Sequence, residues 1–98
     1  MAYRVIWSAK AIEDVEAIAT YIARDSPSYA ASVVRKILDI THYLQESPLA
    51  GTIISEGDNS TIRDKLAYTY RVIYRVRDET VTVAVIVHTK RLLVFANS

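Results

Sequence analysis

The segments Tyr70–Arg77 (YRVIYRVR) and Thr80–His88 (TVTVAVIVH) decide the fold of this chain. Both are rich in β-branched and aromatic residues, which favour strands, and only Asp78-Glu79 separates them. The pattern therefore predicts an antiparallel hairpin. Asp-Glu is not a favoured two-residue hairpin turn, so a four-residue loop from Arg77 to Thr80 is equally possible and the register is open by one residue.

Side chains of these two strands point alternately to opposite faces of the sheet. The predicted floor of the core is the apolar and aromatic face, which consists of Tyr70, Val72, Tyr74, Val76, Val81, Val83, Val85 and Val87. The opposite face is predicted to be basic and consists of Arg71, Ile73, Arg75, Arg77, Thr82, Ala84, Ile86 and His88. If Ile62 and Leu66 point to the core, Arg63 and Lys65 join this basic face.

Two helices are predicted upstream of the sheet. Apolar residues recur at three- and four-residue spacing from Ala11 to about Arg24, and again from Ser26-Pro27 to about Gln45. Ser8 is the predicted N-cap of the first helix, and Ser26 followed by proline begins the second. Because the connection is so short, the two helices are predicted to form an antiparallel hairpin that packs on the sheet.

The remaining segments complete an α+β pattern. The predictions are a short strand over Tyr3–Trp7, an edge strand over Thr52–Ser55, a loop over Gly57–Ser60, a strand over Thr61–Leu66, and a short strand or helical turn over Lys90–Ser98. We expect one domain over residues 1–98. In it, an N-terminal strand and an antiparallel helical hairpin pack on a twisted, mainly antiparallel sheet.

Composition excludes several classes of protein. The 98 residues include no cysteine, which rules out a disulfide scaffold, a thiolate zinc site and a cysteine nucleophile. No segment approaches the roughly 18 apolar residues of a membrane span, so no membrane partner is expected. His42 and His88 do not match a metal-ligand spacing, and Gly51 and Gly57 are too isolated for a phosphate-binding loop. We therefore expect no metal and no cofactor.

Charge is distributed unevenly along the chain, although the formal net charge is only +1. Residues 1–58 carry five basic and eight acidic side chains, a net charge of −3, and residues 59–98 carry seven basic and three acidic ones, a net charge of +4. This asymmetry predicts that the sheet half binds a nucleic acid or another anionic partner. The candidate contacts are Arg63, Lys65, Arg71, Arg75 and Arg91. Basic residues on a solvated sheet face are also ordinary, so this remains a hypothesis.

Short motifs extend over nearly the whole chain. They are Trp7-Ser8-Ala9-Lys10-Ala11, Asp14, Ile18, Tyr21-Ile22, Ser26-Pro27, Pro48, Gly51, Glu56, Arg63, Tyr70–Val76 and Val85–His88 with Arg91. Together with the strand-helix-helix-strand-strand-strand order, they resemble the RelE/ParE superfamily of toxins from bacterial type II toxin–antitoxin modules. The resemblance implies a small cytoplasmic toxin and a cognate antitoxin that covers the helical hairpin and the sheet edge.

Two molecular targets occur among proteins of this superfamily. RelE- and YoeB-like members cut messenger RNA on the ribosome, whereas ParE-like members inhibit DNA gyrase. For the nuclease, the resemblance implies that Glu56 is the base, Arg63 holds the phosphate and His88 is an acid or orienting group. Arg91 is the fourth residue of this candidate catalytic set. These are suitable residue types for metal-free RNA cleavage.

The ParE-like branch is the closer resemblance. It is indicated by the acidic first helix, Ser26-Pro27 and the ending Val85–Arg91. The C-terminal aromatic acid or base-stacking residue of the nuclease members is missing, because no tyrosine follows Tyr74 and Phe95 is the only aromatic residue there. Our prediction is therefore a gyrase inhibitor that needs no catalytic set. The alternatives are an mRNA endonuclease, and an inactive relative that acts only as a binding partner.

Overall fold

The computed structural model describes residues 2–90, which form two helices and one five-stranded sheet. The elements are β1 (Arg4–Trp7), α1 (Ala9–Ala23), α2 (Pro27–Tyr43), β2 (Thr52–Gly57), β3 (Ser60–Ala67), β4 (Tyr70–Arg77) and β5 (Thr80–His88). The strand order is β1-β5-β4-β3-β2, and every neighbouring pair is antiparallel except the parallel pair β1–β5. The predicted α+β fold is confirmed. Within residues 2–90, neither helix is long and apolar enough to cross a membrane.

The decisive hairpin has a two-residue turn. Arg77 pairs with Thr80, and Asp78 and Glu79 both have positive φ, 49° and 61°. This left-handed backbone matches the twist of the flanking strands, which explains how an unfavoured dipeptide can make the turn. The loop predicted over Gly57–Ser60 is too long. Gly57 and Ser60 pair as strand residues, and only Asp58-Asn59 forms the turn, with φ values of 43° and 64°.

A β-bulge in β5 changes which of its residues face the core. Ile73 pairs with Val85 but Tyr74 pairs with Val83, so Ala84 is the extra residue. Because side chains alternate, one inserted residue moves every later side chain to the other face. Ile86 is therefore buried at 3% exposure opposite Val72, whereas Val85 and Val87 lie on the opposite face. Their predicted core positions are wrong, and so is the placement of Ile86 and His88 on the basic face.

The face assignment predicted for β3 is also reversed. Arg63 lies directly opposite Tyr74, and Lys65 lies opposite Val72, so both belong to the face that the helices cover. Ile62 and Leu66 point to the other face. The long stems of Arg63 and Lys65 let their charged ends leave the core, since the Lys65 Nζ lies 5.7 Å from the ring centre of Tyr43.

Each helix of the hairpin begins at a serine N-cap, as predicted. The Ser8 Oγ accepts a hydrogen bond from the Ala11 amide at 3.0 Å, and the Ser26 Oγ accepts one from the Tyr29 amide at 3.1 Å. Both helices cover one sheet face, where the core gathers. Its fully buried large side chains are Tyr74, Ile37, Leu44, Val33, Val72, Val81 and Val83.

A buried tyrosine fixes the connection from α2 to β2. The Tyr74 hydroxyl donates to the Pro48 carbonyl oxygen at 2.9 Å and accepts from the Gly51 amide at 2.9 Å. A Cβ atom on Gly51 would lie 2.5 Å from this hydroxyl and 2.6 Å from the Asp64 carbonyl oxygen. No side chain fits there, so the connection closes on the sheet only with glycine at this position.

This packing predicts that Gly51→Ala lowers the free energy of unfolding by about 2 kcal/mol, because the added methyl must separate buried hydrogen-bonded groups. Urea denaturation of the two proteins measures the change. Gly57→Ala is the matched control, since a Cβ there meets nothing within 4 Å. Equal midpoints for the two variants would contradict the packing argument.

Candidate functional site

The proposed catalytic residues do not come together in one place. β2 pairs Glu56 with Thr61, two residues from Arg63, so the acid and the arginine share the helix-covered face. His88 lies opposite Tyr70 on β5, with β4 between it and β3. Strand geometry separates the Cα atoms of Arg63 and His88 by about 16 Å. Arg91 lies outside the described residues.

Arg63 has three of its five N–H donors hydrogen-bonded within the fold. One terminal nitrogen donates to the carbonyl oxygens of Leu49 at 3.1 Å and Gly51 at 3.0 Å, and the Nε donates to the Thr61 hydroxyl at 3.0 Å. These two carbonyls belong to the same connection that Tyr74 holds. The guanidinium therefore closes the turn into β2. Burial raises the pKa of the Tyr74 hydroxyl, and the hydrogen bond from Gly51 and the positive charge of Arg63 offset part of this rise.

His88 lies in a groove between α1 and the second half of β5. The groove has a volume of about 530 Å³ and is lined also by Asp14, Ile18, Tyr21 and Tyr70. The imidazole packs edge-on against Tyr70 with ring centres 5.3 Å apart, and its Nδ1 accepts a hydrogen bond from the Lys90 amide at 3.0 Å. Burial, with Tyr29 and Tyr21 nearby, raises the pKa of the Tyr70 hydroxyl, which stays protonated at neutral pH.

Asp14 joins the helical hairpin to this end of the sheet. Its Oδ2 accepts a hydrogen bond from the Ile86 amide at 2.9 Å, and its other oxygen is bound by Lys10 one turn earlier. β1 ends at Trp7, which pairs with Val83. No residue of β1 therefore reaches the Ile86 amide, and the Asp14 carboxylate accepts its hydrogen bond instead. We interpret Asp14 as a residue that holds the fold together.

The predicted anion-binding residues separate into two groups. Arg71 and Arg75 lie on the sheet face away from the helices, whereas Arg63 and Lys65 lie on the covered face. Arg71 forms a salt bridge with the buried Asp64. A single basic face that combines all these residues does not exist.

Arg4 was missed by the sequence reasoning. It pairs with Thr80, whose other neighbour is Arg77, so Arg4 and Arg77 share the face away from the helices. The alternation of Arg4 and Ile6 with the core-packed Val5 and Trp7 was the available signal. Using it required knowing that β1 lies beside β5.

Comparison with known families identifies the chain. A family model described as the ParE toxin of the type II toxin–antitoxin system, parDE, matches residues 5–93. This chain belongs to the ParE toxin family. The match covers both helices and all strands except the first residue of β1. A search of the curated proteins found no match to this ParE-family toxin.

Solved structures share the fold of this ParE-family toxin. A chain from the chromosomal ParDE system of P. aeruginosa is 21% identical with a TM-score of 0.70, and the match covers 89% of this chain and 96% of that one. A chain from the archaeal RelE–RelB complex of Pyrococcus horikoshii is 16% identical with a TM-score of 0.72, covering 93% and 99%. A chain from the RelBE2 complex of Mycobacterium tuberculosis is 22% identical with a TM-score of 0.58, covering 90% and 99%. At these identities the likeness establishes the fold.

The contacts of Arg63 predict a structural role for it in this ParE-family toxin. Arg63→Gln should lower the free energy of unfolding by about 1–3 kcal/mol, because two carbonyl oxygens lose a charged donor. Urea denaturation checks this, and Arg75→Gln on the open side of the sheet is the control, expected to change stability by less than about 0.5 kcal/mol. Equal stability of the two variants would leave Arg63 free for another role.

Proposed function

We propose that this ParE-family toxin inhibits DNA gyrase and does not cut messenger RNA. The observation that carries the proposal is the engagement of Arg63 with the carbonyl oxygens of Leu49 and Gly51. Metal-free RNA cleavage needs a cation directed at the phosphate in the transition state. Arg63 is the phosphate-holding candidate, and three of its five N–H donors are already bound to Leu49, Gly51 and Thr61.

The separation of Arg63 from His88 supports the same proposal. A base, a phosphate clamp and an acid must act within about 3 Å of the reacting atoms, whereas β4 lies between Arg63 on β3 and His88 on β5. A protein that inhibits an enzyme by binding needs an exposed surface and no such convergence. Membership of the ParE toxin family agrees with that mode of action.

Supercoiling of relaxed plasmid by purified bacterial gyrase tests the proposal. We expect the toxin to abolish ATP-dependent supercoiling at concentrations near that of the enzyme, and to leave a reporter message intact in a bacterial translation extract. Message cleavage on the ribosome with unaffected gyrase would establish the nuclease alternative instead. No effect in either assay would indicate an inactive relative that only binds.

We also propose that a cognate antitoxin neutralises the toxin by covering the outer side of the helical hairpin. The structural relatives from P. horikoshii and M. tuberculosis come from toxin–antitoxin complexes. Here a groove of about 460 Å³ runs between α1 and α2, and its walls are mostly small side chains, namely Ala19, Ala23, Ala30, Ala31, Val34 and Leu38 with Arg35 and Asp39. Such a groove admits the apolar side of a partner helix. Since gyrase acts in the cytoplasm, we propose that the toxin acts there too.

A substitution that fills the groove should prevent neutralisation. We expect Ala31→Arg to weaken the complex with the co-expressed antitoxin at least about tenfold, because a long charged side chain would displace the apolar contact. Gel filtration and a titration of rescued gyrase activity measure the loss. Ser32→Arg, at the adjacent exposed position of the same helix, is the control. If both variants lose affinity for the antitoxin equally, or if neither loses it, this groove is rejected as the antitoxin site.

A further inference from the structure

The sheet face away from the helices, called here the open sheet face, carries a patch of aliphatic side chains. Cross-strand pairing places on it Ile6, Ile62, Leu66, Ile73, Val85 and Val87. Ile6 is 38% exposed and Leu66 is 52% exposed, and the other four side chains are half-buried. The solvated face of an antiparallel sheet is usually polar, so a patch of this composition indicates a surface that another molecule covers.

Three arginines border this patch on one side. Arg4 and Arg77 flank Thr80 on neighbouring strands, and Arg75 lies opposite Thr82, which in turn pairs with Ile6. Strand spacing places the Cα atoms of Arg4 and Arg77 about 10 Å apart, and those of Arg75 and Arg77 about 7 Å apart. The three cations therefore form one continuous basic border beside the aliphatic side chains.

The positive charge of this border is only partly compensated by the two acidic residues of the adjacent turn, Asp78 and Glu79. Within residues 2–90, neither Arg4 nor Arg75 has an acidic group within salt-bridge distance. Arg77 meets Asp78 at 3.5 Å, but both side chains are more than half exposed, so this pair contributes little. Arg71, by contrast, is bound to the buried Asp64 and belongs to the fold.

The composition of the surface favours a protein partner over a nucleic acid. Phosphates are bound by clustered lysines and arginines, and six aliphatic side chains would add nothing to such a contact. Protein interfaces combine an apolar centre with a polar rim, and arginine is enriched in them. The matching surface on the partner would carry aliphatic side chains beside carboxylates.

We infer that the open sheet face is the surface through which this toxin binds DNA gyrase, at an acidic and aliphatic patch of the enzyme. The inference rests on the proposed function. The antitoxin groove lies on the outer side of the helical hairpin, so an antitoxin that blocks this surface must also extend over the sheet edge. The arginine border accelerates and orients association, and the aliphatic patch keeps the complex together.

Charge reversal in the full-length chain tests the inference. The variant Arg4→Glu/Arg75→Glu should weaken binding to immobilised, DNA-free gyrase at least about tenfold and raise the concentration needed to inhibit supercoiling to the same extent. The control Arg24→Glu/Lys36→Glu makes the same change in net charge at exposed positions of the helical half. It should change both quantities less than about twofold. Unchanged urea midpoints must accompany both variants.

The aliphatic patch has a separate test. Leu66→Ser should speed dissociation from gyrase several-fold with little change in the association rate, because it removes apolar contact and no charge. Leu49→Ser is the control, since Leu49, at 58% exposure, is about as exposed as Leu66 but lies in the connection before β2. Similar dissociation rates for the two variants would contradict the role of the patch.

The outcomes separate the inference from the proposed function. If the unmodified toxin neither binds nor inhibits gyrase, the proposed function fails and the inference fails with it. If the toxin inhibits gyrase but the Arg4→Glu/Arg75→Glu variant inhibits equally well, only the inference is overturned. It is also overturned if binding requires DNA, which would make the arginines a phosphate-binding border, or if the substitutions separate a dimer of the toxin in gel filtration.

Discussion

The hydroxyl of Tyr74 is the point on which the rest of this structure depends. It joins a carbonyl and an amide from two ends of one turn, Pro48 and Gly51, and it does so with no exposure to solvent. In a dry environment those backbone groups would be costly to leave without partners. Because β4 supplies the tyrosine, the connection between α2 and the edge strand β2 is bound to an inner strand of the sheet.

Arg63 strengthens the same turn from β3. Its guanidinium binds the Leu49 and Gly51 carbonyl oxygens, so two neighbouring strands hold one connection. This accounts for an arginine on the covered face of the sheet, a position that its charge alone would not predict. The stem lies against the core while the charged end finds backbone acceptors at the margin. An arginine that looks catalytic by its residue type can therefore serve the fold.

Local sequence patterns predicted the elements well and the faces of the sheet less well. The bounds of β4 and β5, both serine caps and the helical hairpin follow from short-range patterns, because propensity and capping act within a few residues. The bulge at Ala84 depends on how β5 fits β4 and β1 together, and no local signal marks it. One extra residue then reversed the expected positions of Val85, Ile86, Val87 and His88. The other errors, including the missed Arg4, concern residues whose faces depend on pairing with strands that are distant in sequence.

The neighbours of the basic residues decide what the charge asymmetry of this chain means. A net charge of +4 over residues 59–98 suggested one basic surface. In the structure, Arg63 and Arg71 are bound within the fold, Lys65 lies over a tyrosine ring, and the arginines still exposed on the open sheet face border aliphatic side chains. Charge counted along a chain measures how many cations are available, whereas the neighbours of each cation decide what it can bind. On this sheet those neighbours are isoleucine, leucine and valine, which is why the exposed arginines favour a protein surface over a phosphate backbone.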